Sequence, residues 1–183
     1  MPRLTLVRHA EAAAGWGDHA DPGLSPVGER HAVALAGALA SLGPLPIVVS
    51  PLARTRETAA PLARVWGVEP TVEPRVAEIP SPIDELTSRA DWLHQVLASR
   101  WSLLDPSLCE WSRQLVDCLL ALRDDTVVVT HFVAINAAIG AATDDDRVVC
   151  SRVGNCSTTV FDNTGGRLTL VELSDDVATT EVR

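Results

Sequence analysis

The chain has 183 residues, 46% hydrophobic and 21% charged, the proportions of one soluble globular domain with enough length to enclose a core. Its formal charge of −9 argues against nucleic acid as a partner, because a phosphate backbone demands a basic surface. No apolar stretch reaches the length of a membrane span, and the first strand starts within three residues of Met1, which leaves no room for a signal peptide, so a cytoplasmic location is expected.

Leu4-Thr5-Leu6-Val7 reads as a buried strand that breaks into the small residues Ala12-Ala13-Ala14-Gly15. Arg8 and His9 therefore fall at its C-terminal edge, where open α/β sheets gather ligands. A cation beside an imidazole suits an anion such as phosphate; the plain alternative is a strand-end ion pair and a packed histidine. Ser25 to Leu42 is predicted helical, with Ser25 as cap, Pro26 in the first turn, Leu35, Leu39 and Leu42 on one face, and Gly43-Pro44 as the stop. A second strand, Pro46 to Ser50, leads into a helix from about Pro51 to Val65 that carries Arg54 in its first turn. Leu52, Thr55, Ala59 and Leu62 form its apolar stripe, Pro61 is expected to kink it, and Gly67 ends it.

Between Glu69 and Leu86 the prolines at 70, 74, 80 and 82 predict a short strand followed by a loop that carries Glu78. Helices follow from about Leu86 to Ala98 and from about Leu108 to Leu122, the latter apolar along Leu108, Trp111, Leu115, Cys118 and Leu122. Trp92, Trp101 and Trp111 are read as a core cluster. A third strand, Thr126 to Thr130, ends in His131 and is followed by a helix from Val133 to Ala142. Strands are predicted at Arg147 to Arg152, Ser157 to Phe161 (opened by Cys156) and Leu168 to Leu173, the last two joined as a hairpin through Asp162 to Gly166. The polar tail after Ser174 is expected to fray.

Strands alternating with helices at this spacing imply a three-layer α/β/α sandwich over residues 1–183, with a mostly parallel sheet and an antiparallel edge hairpin. Three strands each deliver a basic or imidazole side chain just before a helix, a coincidence that packing alone does not explain. Cys109, Cys118, Cys150 and Cys156 show no metal-ligand spacing and are read as free thiols, so neither a metal nor another cofactor is expected. All fifteen basic residues are arginine, a bias that points to a GC-rich bacterial genome rather than to function.

Four segments, LVRHAEA from Leu6, DPGLSPVGERHA from Asp21, SPLARTRETA from Ser50 and VVVTHFVAI from Val127, together resemble the histidine phosphatase superfamily, the phosphoglycerate-mutase-like proteins. The match runs in order from about Leu4 to about Gly140. Ala10 and Phe132 stand where the family commonly has glycine, and Phe132 is expected to narrow the pocket beside His131.

The resemblance implies that His9 attacks phosphorus as a neutral imidazole and holds it as phosphohistidine until water arrives. Arg8 and Arg54 clamp the phosphate, since a guanidinium fork matches two of its oxygens. His131 is the second imidazole, expected protonated and donating to the same oxygens, with helix starts near Pro51 and Phe132 adding backbone N–H groups. Glu78 corresponds to the family's proton donor, with Asp84 and Glu85 as alternatives. Glu11 either orients the surroundings of His9 or is a solvated surface carboxylate. Arg56 is read as a surface ion pair, His19 as a residue of the pocket rim, and His31 and His94 as solvated or half-buried helix residues.

The expected activity is metal-independent hydrolysis of a small phosphate monoester. Alternatives are a protein-phosphohistidine phosphatase, which needs no carboxylic acid because imidazole leaves readily, and an inactive phosphate-binding module. A glycolytic mutase is disfavoured: Gly15 stands where the mutase pattern has asparagine, and the chain lacks tyrosine and lysine altogether.

Overall fold

The computed structural model describes residues 1–15 and 18–174; the predicted fraying after Ser174 lies outside them. Among these residues six strands form one sheet: β1 (Arg3–Arg8), β2 (Ile47–Val49), β3 (Thr71–Val72), β4 (Thr126–Thr130), β5 (Thr158–Thr164) and β6 (Arg167–Ser174). Their order is β3-β2-β4-β1-β5-β6. The β1–β4, β4–β2 and β2–β3 pairs are parallel, and the hairpin β5–β6 adds an antiparallel edge beside β1. Five helices accompany it: α1 (Pro26–Leu39), α2 (Ala53–Trp66), α3 (Leu86–Leu97), α4 (Pro106–Ala121) and α5 (Phe132–Thr143).

The alternation of side chains along each strand builds the layers. Val7, Ile47, Val49, Val127 and Val129 pack with Leu35, Leu39, Ala59 and Leu62 of α1 and α2. Leu4, Leu6, Val48, Val128 and Phe161 pack on the opposite face with Leu115 and Leu119 of α4 and Ile135 and Ile139 of α5. The result is the expected three-layer sandwich. A third cluster joins α3 to the ends of α4 and α5 through Val96, Leu108 and Val133, with Trp92, Trp101 and Trp111 packed against it.

Local chemistry sets the element ends. The Ser25 side chain accepts the Gly28 N–H at the start of α1, and Asp105 does the same for Ser107 at α4. A Cβ at Gly28 would collide with the Glu11 carbonyl oxygen, so only glycine lets α1 pass this close to the chain after β1. Gly165 (φ 64°) and Gly166 (φ 77°) make the two-residue turn between β5 and β6.

Several details depart from the sequence reading. α1 tightens into a 3₁₀ turn at Ala40–Leu42, which rotates Leu42 off the apolar face and leaves it 51% exposed. Arg147 to Arg152 is not a strand: only an isolated bridge links Arg147 to Arg100, and the Cys150 and Ser151 N–H groups donate to Asn136 Oδ1 of α5 at 2.8 Å each, which replaces a ladder. Cys156 precedes β5 rather than opening it, and its φ of 57° turns the chain there. Among the described residues no helix is long and apolar enough to cross a membrane.

Candidate active site

The parallel strands β1, β4 and β2 end side by side, tied by the His9 N–H to the Thr130 carbonyl (3.0 Å) and the Ser50 N–H to the Val129 carbonyl (3.2 Å). A cleft of about 800 Å³ opens at these ends. Consecutive strand residues point to opposite faces, so the Arg8-His9 pair straddles the sheet. Arg8 continues the Leu4 and Leu6 side, where its guanidinium carbon lies 5.1 Å from the centre of the Phe132 ring at the start of α5. Its Nη1 donates to the Val153 carbonyl at 2.7 Å, and its buried Nε has no partner among the described residues. His9 continues the Val7 side, where Arg54 Nε of α2 donates to His9 Nε2 at 3.3 Å.

The protonation of His9 follows from its contacts. Nδ1 lies 2.7 Å from the Ala10 carbonyl oxygen, which can only accept, so Nδ1 carries the proton and Nε2 the lone pair. Burial, helped by the positive charges of Arg54 and Arg8, pushes the imidazole down to about 3 despite that hydrogen bond. It is neutral at pH 7. The surrounding backbone is pinned: the Ala10 N–H donates to Thr58 Oγ1, Asn155 Nδ2 to the His9 carbonyl, and the Cys156 N–H to the Arg8 carbonyl.

His131 sits with its ring centre 5.2 Å from that of His9, its Nε2 paired with Ser50 Oγ at 2.8 Å and its buried Nδ1 without a partner among the described residues. Burial first, then His9, Arg54 and Arg8, holds it well below the ordinary histidine range, so the unliganded site contains two neutral imidazoles.

Glu78 closes the cluster. Its Oε1 accepts the Ile79 N–H (3.0 Å) and its Oε2 the Val133 N–H (3.4 Å), while Thr130 Oγ1 donates to the Val76 carbonyl and fixes this loop against β4. Desolvation raises the carboxyl above the usual range, opposed by the two backbone N–H groups and by Arg54 and Arg8. Asp84 and Glu85 are exposed and do not line the cleft.

The helix starts are already occupied by side chains. Asp21 Oδ1 accepts the Ala53 N–H at 2.9 Å, thereby capping α2 from 32 residues away, and lies 3.8 Å from Arg54 Nη1. Glu11 lines the cleft but accepts a hydrogen bond from Ser25 Oγ rather than touching His9. His19 is at the rim, whereas His31 and His94 lie away from the cleft. Arg56 is exposed and forms no ion pair among the described residues. No group of three or more His, Cys, Asp or Glu among the described residues could hold a metal ion.

Sequence reasoning thus names Arg8, His9, Arg54, Glu78 and His131, and the fold brings all five together. It misses Asp21, Ser50, Thr58 and Asn155 as supports. Asp21 is visible as the first residue of the DPGLSPVG segment, and Ser50 and Thr58 both lie in SPLARTRETA; Asn155 carries no comparable signal.

The sequence matches the histidine phosphatase superfamily (branch 1) over residues 4–176. The chain belongs to this superfamily. Among curated relatives, a PE-PGRS family protein of Mycobacterium tuberculosis is 43% identical over 86 residues, which is 45% of this chain and only 15% of that much longer protein. A probable phosphoglycerate mutase of Photorhabdus laumondii is 30% identical over 159 residues, 76% of this chain and 74% of its own. Among solved structures, the phosphoserine phosphatase of Entamoeba histolytica in complex with 3-phosphoglyceric acid superposes with a TM-score of 0.78 at 22% identity, covering 97% of this chain and 98% of the other. At that identity the likeness concerns the fold.

Proposed function

We propose that this single-domain superfamily member is a cytoplasmic phosphatase that hydrolyses a small phosphate monoester through a phosphohistidine on His9, without a metal. The supporting observation is the state of His9: a neutral imidazole whose lone pair on Nε2 faces Arg54, with Arg8, His131 and Glu78 around it. Arg8 and Arg54 bind the phosphoryl oxygens and balance the charge that spreads over them during transfer. His9 Nε2 forms a bond to phosphorus as the ester P–O bond breaks, and Glu78 gives its proton to the departing oxygen. The Glu78 carboxylate then takes a proton from water as that water attacks phosphorus, the N–P bond breaks, and inorganic phosphate leaves with His9 neutral again. An arriving phosphate dianion favours protonation of His131, which then donates to it.

Two observations favour an ester over the alternatives. The raised carboxyl of Glu78 supplies the acid that an alkoxide needs and an imidazole leaving group does not. The nucleophile His9 and the acid Glu78 are both present, which an inactive phosphate-binding module has no need to keep. The name of the Photorhabdus relative brings a mutase into consideration, but the absence of tyrosine and lysine weighs against it here. The test is phosphate release from p-nitrophenyl phosphate by the wild type and His9→Ala, with acid-labile, base-stable phosphoenzyme trapped by rapid quench. Turnover and trapped phosphoenzyme should both vanish in the variant; retained turnover would overturn the reading.

A further inference from the structure

The cleft extends well beyond the phosphate end, and one wall of it is apolar, whereas Glu11, Asp18, His19 and Arg89 line other parts. Ile79 and Val133 are buried at its base, Leu93 and Leu97 stand one turn apart on the same face of α3, and Phe132 joins them; all five line the cleft and belong to one packed cluster. The Phe132 ring lies against the Arg8 guanidinium as well, so the apolar wall begins where the phosphate clamp ends. Any group esterified to a phosphate held by Arg8 passes this ring within its first few carbons.

The uncharged polar side chains of the cleft are committed to the protein itself. Ser81 Oγ bonds the Ile83 backbone in both directions, and Asn155 Nδ2 holds the His9 carbonyl. Along the apolar wall a sugar or polyol would lose its water and find few partners, a cost that an apolar chain does not incur.

We propose that the leaving-group side of this cleft selects phosphate monoesters of apolar alcohols over those of small charged or hydroxylated ones. This rests on the phosphatase reading for its chemistry and on the apolar wall for its specificity. Arg89 enters the test as the competing determinant: its Nε is held by the Ile83 carbonyl, and it lines the cleft one turn before Leu93.

The experiment measures kcat/KM for n-alkyl phosphates from ethyl to hexyl, whose alcohols have nearly equal basicity, beside O-phosphoserine and 3-phosphoglycerate. The matching n-alkylphosphonates, which cannot be hydrolysed, are titrated by calorimetry. Complete burial of each methylene sets a ceiling of roughly fourfold per carbon; the expected rise is at least tenfold from ethyl to hexyl in both turnover and affinity, with phosphoserine and 3-phosphoglycerate below hexyl phosphate. Phe132→Ala and Leu93→Asn should each flatten the dependence on chain length. A flat series, or faster turnover of the two anionic esters that falls in Arg89→Gln, would overturn the proposal. If no ester is hydrolysed while phosphonate affinity still rises with length, the phosphatase reading fails and the apolar selection stands; turnover without any length dependence keeps the phosphatase reading and overturns the apolar selection.

Discussion

Replacing Glu78 by Gln separates its chemical role from its structural one. The amide oxygen of glutamine can still accept the Ile79 N–H, whereas its NH₂ would meet the Val133 N–H, whose wild-type bond is already 3.4 Å long. Leaving the buried Val133 N–H without its acceptor costs about 1–3 kcal/mol, so the variant should fold with its Tm lowered by several degrees. The chemical loss is larger. A positioned acid is worth about 10²–10⁴-fold, which corresponds to roughly 3–5 kcal/mol of barrier, and its value grows with the basicity of the leaving oxygen. Phosphate release from butyl phosphate should fall by that factor in Glu78→Gln, while p-nitrophenyl phosphate, whose phenolate departs unaided, should lose less than about tenfold. The pH profile gives a second check: burial raises the Glu78 carboxyl, so the decline of kcat/KM for butyl phosphate towards high pH reports its deprotonation and should disappear in the variant. Equal losses for both esters would refute the assignment and leave Glu78 as a loop anchor.

Other outcomes follow from the same geometry. His9 titrates near pH 3 in the folded chain and near 6.5 when unfolded, so the native state binds fewer protons between those values and loses stability as pH falls through the window, by up to about 1.4 kcal/mol per pH unit; urea unfolding at pH 7, 5.5 and 4.5 should show a shallower decline for His9→Asn, and an unchanged decline would contradict the buried neutral imidazole. Asp21→Asn keeps an acceptor for the Ala53 N–H, whereas Asp21→Ala removes the cap, worth about 1 kcal/mol or about 2–4 °C in a chain of this size; equal thermal losses for the two would count against remote capping. Turnover should persist after dialysis against EDTA, and activity that returns only with magnesium or zinc would exclude a route through the side chains alone.

Arg8, His9 and His131 were legible in the sequence because each follows an apolar run with an unambiguous end, and Arg54 opens the helix after another such run, whereas Glu78 was named through the family resemblance. Val7 before Arg8, Val49 before Ser50 and Val129 before Thr130 mark the sheet edge, and the rest is local. What was not legible depends on partners remote in sequence or on solvent exclusion. The neutral state of His131 in the unliganded site is set by burial and by His9, Arg54 and Arg8, partners that no local window contains. The cap on α2 comes from Asp21, outside any window that reads helix starts. The supposed strand at 147–152 failed because one side chain, Asn136, takes two of its amides. Leu42 left its face because the last turn of the helix changed pitch.

The split of Arg8 and His9 across the sheet has a mechanical consequence. One arm of the site hangs from α2 through Arg54, the other from α5 through Phe132 and the Val133 N–H that holds Glu78. An oxyanion gripped by both arginines becomes a cross-brace between the two helical layers that the sheet separates. Occupancy should therefore stiffen both layers at once, slowing amide exchange in α2 and α5 together.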